Sequence, residues 1–180
     1  QTKLIVGFVL SSLVTLIVGA FAVVELNNVN NADTMLYERA TVPMRDMLRL
    51  SVGFQRIRVN LQGIVGAAKD EEVQQRTATV GRLRQEIDES SRAVEKTLNS
   101  DEAKKIIEEY KVHRAAFREM TDRIIKLKTS GDSQGAENLL DGEAQKISDQ
   151  YQDAINRLVK TMEEQGYLLA EGNNPLADFS

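Results

Sequence analysis

The sequence has no cysteine and no tryptophan, a single histidine, two prolines and only 5% aromatic residues. Without cysteine there is no disulfide framework and no thiolate metal site, and cysteine usage leaves both sides of a membrane open as a location. A zinc site would need two or three further nitrogen or sulfur ligands beside His113, and a di-iron site in a helical bundle would need a second histidine. An excess of basic charge is missing too. The 23 Lys+Arg stand against 27 Asp+Glu, a net charge of -4, which does not provide the basic face that nucleic acid requires. No glycine-rich phosphate loop, H-E-x-x-H, G-x-S-x-G or dinucleotide fingerprint occurs, so neither an enzyme nor a cofactor is expected. Strand-like alternation, fixed-length repeats and low-complexity tracts are likewise lacking.

What is present starts with an uncharged run, Leu4 to Val24. Roughly 20 apolar residues at about 1.5 Å rise per residue are long enough to cross a bilayer as a helix. Lys3 precedes the run, Glu25 and Asp33 follow it, and no basic residue occurs until Arg39. The positive-inside rule then places the N-terminus in the cytoplasm and the main domain outside. The first residue is Gln rather than Met, which suggests a missing upstream piece. A cleaved signal peptide is the rival reading, because Ala20-Phe21-Ala22 offers a small-residue cleavage site. The apolar run is long for that role, and helical patterning continues past the site. The expected division is a transmembrane helix over 1–26, a water-exposed helical domain over 27–172, and over 173–180 the start of a connection to a second span.

Behind the apolar run the composition is rich in Ala, Leu, Glu, Gln, Lys and Arg, which suits long helices. Four helical segments are predicted. The first continues from the membrane to about Ala68, with Met47, Leu50, Phe54, Ile57, Leu61, Ile64 and Ala68 as a heptad seam. Pro43 lies in this segment and disfavours helix at Val42, so a kink or short break is expected there. After a turn at Ala67–Asp70, the second segment covers about Glu71 to Leu98, with Val73, Val80, Ile87 and Val94 every seven residues and Leu83 and Leu98 on flanking rows. Ser100 is the expected N-cap of the third, backed by Asp101 and Glu102 at the positive helix end. That helix runs to about Thr129 with Ile106, Tyr110, His113, Phe117, Met120, Ile124 and Leu127 on its seam. Ser130-Gly131-Asp132-Ser133 is the clearest turn. The fourth segment carries Ala136, Leu139, Leu140, Ile147, Tyr151, Ala154, Leu158, Thr161 and Leu168, with a soft point at Asp141-Gly142 and a stop at Gly172–Pro175. Short connections between long amphipathic helices imply an all-α fold: an antiparallel up-down-up-down four-helix bundle whose first helix extends from the transmembrane helix.

Two groups of polar residues lie against these seams. In Phe54-Gln55-Arg56-Ile57-Arg58-Val59-Asn60-Leu61, the guanidiniums of Arg56 and Arg58 flank core positions. Arg58 takes an e-type position from which a side chain reaches a partner helix, and a guanidinium forms two-pronged hydrogen bonds to carboxylates. It could hold a small anion, or make an ordinary interhelical or dimer salt bridge. Tyr110 and Arg114 are one turn apart on one face, and Tyr151 is a seam residue of the last segment. A phenol and a guanidinium inside a bundle could hold a carboxylate and a neighbouring hydroxyl. The plainer alternative is aromatic core with a snorkelling arginine. His113 reads as a partly buried packing residue, and charged stretches such as Glu86-Ile87-Asp88-Glu89 read as solvated faces.

Taken together, the uncharged first run, Leu36-Tyr37-Glu38-Arg39-Ala40-Thr41-Val42-Pro43-Met44, Arg56-Ile57-Arg58-Val59-Asn60-Leu61 and Gly131-Asp132 before Ala136 resemble the four-helix-bundle ligand-binding region of bacterial methyl-accepting chemotaxis receptors. The resemblance covers essentially the whole chain. It implies a periplasmic homodimer anchored in the bacterial inner membrane, with a small anionic ligand bound in the membrane-distal part, between subunits or inside one bundle. Arg58, Arg56, Asn60, Tyr110, Arg114 and Tyr151 are the candidate ligand-binding residues. Binding would displace the last helix relative to the first and act, through a missing cytoplasmic part, on a chemotaxis kinase and adaptor. In amino-acid-sensing members two further arginines accompany the one matching Arg58, where this chain has Gly63 and Ala67. That departure favours an organic or aromatic acid over an amino acid. A sensor domain of a membrane histidine kinase or cyclic-nucleotide enzyme, a receptor reading a separate binding protein, and a ligand-free scaffold are the alternatives.

Overall fold

The computed structural model describes residues 12–24, 26–27, 30, 37, 42–98 and 100–172, with side chains to residue 168. From residue 42 onward these form α1 Val42–Gly66, α2 Asp70–Thr97, α3 Asp101–Thr129, α4 Ser133–Asp141 and α5 Glu143–Gly172, and no strand occurs among the described residues. α4 and α5 follow one another across a break at Gly142, so the architecture is an all-α bundle of four rods.

The seams account for the core. Met47, Leu50, Phe54, Ile57, Leu61 and Ile64 of α1 and Val73, Val80, Leu83, Ile87 and Val94 of α2 are all buried. So are Tyr110, Phe117, Met120 and Ile124 of α3 and Tyr151, Ala154 and Leu158 of α5. Burying these stripes removes apolar surface from water at ~25 cal/mol per Å2, and most of the intervening polar residues stay on the outside, Asp46, Ser90, Ser91, Thr121 and Ser148 being buried exceptions.

α1 packs on α2 and α5, and α3 packs on α5 and α2. Along α1 and α2, Gly53 faces Ile87 and Gly63 faces Arg76. Between α2 and α3, Glu95 meets Lys111 and Arg84 meets Asp122; between α3 and α5, Glu109 meets Arg157 and Arg123 meets Glu143. In each of these three pairs the partner numbers fall along one helix as they rise along the other. At Gly53 a Cβ would lie 2.9 Å from Ile87 Cγ1.

The turns follow local chemistry. Ser100 Oγ accepts the Ala103 amide at 3.1 Å, and an Asp132 carboxylate oxygen accepts the Gly135 amide at 2.8 Å. α3 ends with the Asp132 amide on the Leu127 carbonyl at 3.0 Å and the Gly131 amide on the Lys128 carbonyl at 3.2 Å. Gly131, at φ 90°, supplies the left-handed residue this ending needs. Lys128 Nζ also donates to the Val65 carbonyl at 2.8 Å, tying the end of α3 to the end of α1.

Several expectations shift. The fourth segment is two helices, because at Gly142 (φ -102°, ψ -100°) the backbone leaves the helical region. Ala67 is buried and Ala68 exposed, since α1 ends at Gly66 and its seam ends with it. Leu168 is exposed, whereas Ile155 and Met162 join the core, so the apolar stripe of α5 is offset from the expected seam toward its end. Glu71 and Leu98, the expected bounds of the second segment, become Asp70 and Thr97. Val42 and Pro43 are both helical, and Pro43 is buried in the first described turn of α1; residues 38–41, where a break before Val42 would fall, lie outside the described residues. Residues 1–11 and 25 of the expected transmembrane segment lie outside the described residues, as does 173–180. Residues 12–24 are helical and leave Leu13, Leu16, Phe21 and Val24 exposed. Among the described residues no helix is long and apolar enough to cross a membrane.

Candidate functional site

The six candidate residues fall into three places. Tyr110, Arg114 and Tyr151 meet in the middle of the bundle. Phe54 of α1, Phe117 of α3 and Tyr151 of α5 stack edge-on or tilted with ring centroids 4.8 to 5.4 Å apart, an arrangement aromatic rings favour. On this platform the Tyr151 hydroxyl donates to the Tyr110 hydroxyl at 3.1 Å. Arg114 and the Ser91 hydroxyl also face the Tyr110 phenol. Burial raises the pKa of Tyr110, and the neighbouring hydroxyl and guanidinium only partly offset that rise. Burial likewise pushes Tyr151 strongly up, reinforced by Tyr110 beside it.

This cluster is closed. Both tyrosines are at most 1% exposed. The Arg114 guanidinium does not await a ligand but is paired with the Asp88 carboxylate of α2. Asp88, expected on a solvated face, is half-buried and also lies 3.7 Å from Arg118. Its position next to seam residue Ile87 was the signal available in the sequence. The structure thus brings Tyr110, Arg114 and Tyr151 together, with the guanidinium already occupied.

Arg58 is different. It is half-buried, its Cζ lies 5.7 Å from the Phe54 ring centroid, and its Nη1 donates to Gln55 Oε1 at 3.2 Å. It has no carboxylate partner among the described residues. It lines a cavity of about 120 Å3 between α1, α3 and the α4–α5 break, shared with Gln62, Gln145, Ser148 and Asp141. Met120, Leu61 and Ala144 give this cavity an apolar back. Ser148 is 5% exposed. Residues on both sides of the break at Gly142 line the space, and nothing in the sequence marked Ser148, Gln145 and Asp141 as site residues. A guanidinium stacked on an aromatic face and next to hydroxyl and amide side chains can take a carboxylate in two-pronged fashion.

Arg56 and Asn60 stand apart from Arg58. The Arg56 side chain is exposed, and Asn60 Nδ2 donates to the Arg56 carbonyl at 2.8 Å. Both line a shallow groove on the outer face of α1 with Val52, Gln55 and Val59. Two residues along a helix is a rotation of about 200°, so Arg56 and Arg58 serve opposite sides although they are adjacent in the motif.

At Gly63 the space a side chain would need holds Arg76 of α2: a Cβ would lie 2.5 Å from its Cζ. That guanidinium is paired with Glu72 at 2.9 Å. Ala67 is buried. His113 is half-buried on α3, and no group of three or more metal-ligating side chains occurs among the described residues.

Residues 1–177 match the model of a family described as a four helix bundle sensory module for signal transduction. No curated protein matches the chain.

Proposed function

The chain belongs to the four-helix-bundle sensory modules of chemotaxis-receptor signal transduction, and from that premise we propose that it is the extracytoplasmic sensor region of a transmembrane chemoreceptor, binding a small organic acid at Arg58. The observation that carries the ligand is the half-buried Arg58 guanidinium, which has no carboxylate partner among the described residues and faces a small, partly open cavity. The cavity is about 120 Å3, against ~300–1,000 Å3 for ordinary small-molecule sites, so an acid of few carbons fits. Gln62, Gln145 and Ser148 offer further hydrogen bonds, and exposed Asp141 at the wall favours an acid that also carries a hydroxyl or amino donor. No chemistry is performed on the ligand; the module is a sensor and not an enzyme.

The mechanism is a shift between two helix arrangements. The cavity is walled by α1, α3 and the break between α4 and α5. A ligand that bridges Arg58 and Ser148 favours one placement of α5 against α1, and only differential affinity for two placements generates a signal. The falling partner numbers between neighbouring rods support the antiparallel up-down-up-down arrangement, with α1 and α5 both leading toward the membrane. The uncharged run from Leu4 to Val24 supports an inner-membrane anchor, with the bundle in the periplasm. In this reading the receptor is a homodimer, and displacement of α5 reaches a chemotaxis kinase and its adaptor through a cytoplasmic part. Calorimetry with a panel of short organic acids tests the proposal. Arg58→Ala is expected to weaken the tightest of them at least tenfold, about 1.4 kcal/mol. Unchanged affinity rejects Arg58 as the anchor.

A further inference from the structure

The α1–α2 interface is tight at Gly53 and Ile87 but opens along the chain toward Val42 into a cleft of about 610 Å3. Its α1 wall carries Arg45, Asp46 and Arg49, and its α2 wall carries Glu86, Glu89 and Ser90. Asp46 is 5% exposed and is held from its own helix, with Arg49 Nη1 at 3.3 Å and Arg45 Nε at 4.0 Å. The carboxylates of Glu86 and Glu89 form no ion pair among the described residues, although both arginines stand across the cleft. Elsewhere in the bundle such charges do meet, as in Arg84–Asp122 at 2.7 Å and Lys111–Glu95 at 2.6 Å. Ser90 is 4% exposed and lines the cleft, and its hydroxyl has no protein partner among the described residues. That hydroxyl is open to the cleft and free to pair with a ligand there.

We propose that this cleft is a second binding site, separate from the Arg58 cavity, for a small zwitterion whose charges sit at opposite ends of a short chain, such as an ω-amino acid. Its anionic end meets Arg45 and Arg49, and its ammonium end meets Glu86, Glu89 and the Ser90 hydroxyl. The positive and negative walls belong to different helices, whose axes in packed pairs lie ~8–10 Å apart. An α-amino acid carries both charges on one carbon and engages one wall only. A singly charged acid or amine leaves one wall unpaired. The site draws on the geometry of α1 and α2 alone and does not depend on what Arg58 binds.

Calorimetry on the full chain in nanodiscs tests this, with 5-aminopentanoate as the probe and pentanoate, pentylamine and glycine as controls. The expected result is that 5-aminopentanoate binds at least tenfold more tightly than each control. Glu89→Gln and Arg45→Gln, both at exposed positions, are expected to weaken it at least tenfold each, and Ser90→Ala to weaken it less. Arg58→Ala is expected to leave it unchanged. Absence of binding, equal binding of a singly charged control, or indifference to both Glu89→Gln and Arg45→Gln overturns the proposal. Loss of 5-aminopentanoate binding in Arg58→Ala also overturns it, by placing the probe in the other cavity.

Discussion

At the residue scale the two core tyrosines are not equivalent. Tyr151 donates its hydroxyl to Tyr110, whereas Tyr110 also has Ser91 and Arg114 at hand. Tyr110→Phe removes the acceptor and leaves a buried donor unsatisfied, which costs about 1–3 kcal/mol; Tyr151→Phe removes one net hydrogen bond, about 1 kcal/mol. The double variant is expected to be no less stable than Tyr110→Phe alone, because the orphaned donor is then gone. Thermal melts of the three variants check this, and equal losses from the two single changes would contradict the stated donor direction. The raised pKa values add a pH dependence. Both phenols keep their protons in the folded bundle above the ordinary value of 10.0, where the unfolded chain releases them. Their contribution is therefore fully present below pH 10 and is lost as pH rises beyond it. The melting temperature is expected to fall above pH 10, and less steeply in the Tyr110→Phe/Tyr151→Phe variant.

At the scale of elements, helix ends decide how the rods are joined. Ser100 holds the first turn of α3 through Ala103, and Ser100→Ala is expected to cost about 1 kcal/mol. Hydrogen exchange should register this as faster exchange confined to the first turn of α3, and protection unchanged there would show that the acidic residues Asp101 and Glu102 suffice as a cap. This cap was legible in the sequence because Ser followed by Asp-Glu has one physical use. The break at Gly142 was legible only as a soft point, since glycine permits a distortion without requiring one. Only the packing of Ala136 on one side and Ala144 on the other into the same core makes it a break between two helices. Residues on both sides of that break line the cavity at Arg58.

At the scale of the whole molecule, the outer face of α1 remains uncovered. Leu48, Val52 and Val59 are 64%, 47% and 61% exposed at near-heptad spacing on a helix whose opposite side is core. In the proposed homodimer this stripe is the face that meets the second copy, with Arg56 and Asn60 beside it. The part from about Asn27 onward is then expected to dimerise weakly or only with ligand, because in the proposed receptor a membrane anchor supplies proximity. Sedimentation should show association that Val52→Asp abolishes. A strictly monomeric species with ligand bound would argue against the dimer.

Hydrophobic period and turn chemistry determined the all-α fold, the four rods, nearly all of the core, the ends of α3 and, to within one residue, those of α2, because each of these is a local property that a few neighbouring residues settle. The juxtaposition of Tyr110 with Tyr151 also followed from the seams. Sequence could not decide which guanidinium is spoken for. Arg114 and Arg58 both flank core positions, yet one meets Asp88 from another helix and the other faces a cavity. That difference depends on the rotation of each rod about its axis and on the break at Gly142, which are set by packing among residues distant in the chain. The charged walls of the α1–α2 cleft were hidden for the same reason: Arg45 and Glu89 are ordinary surface residues until the two helices place them on opposite sides of one opening.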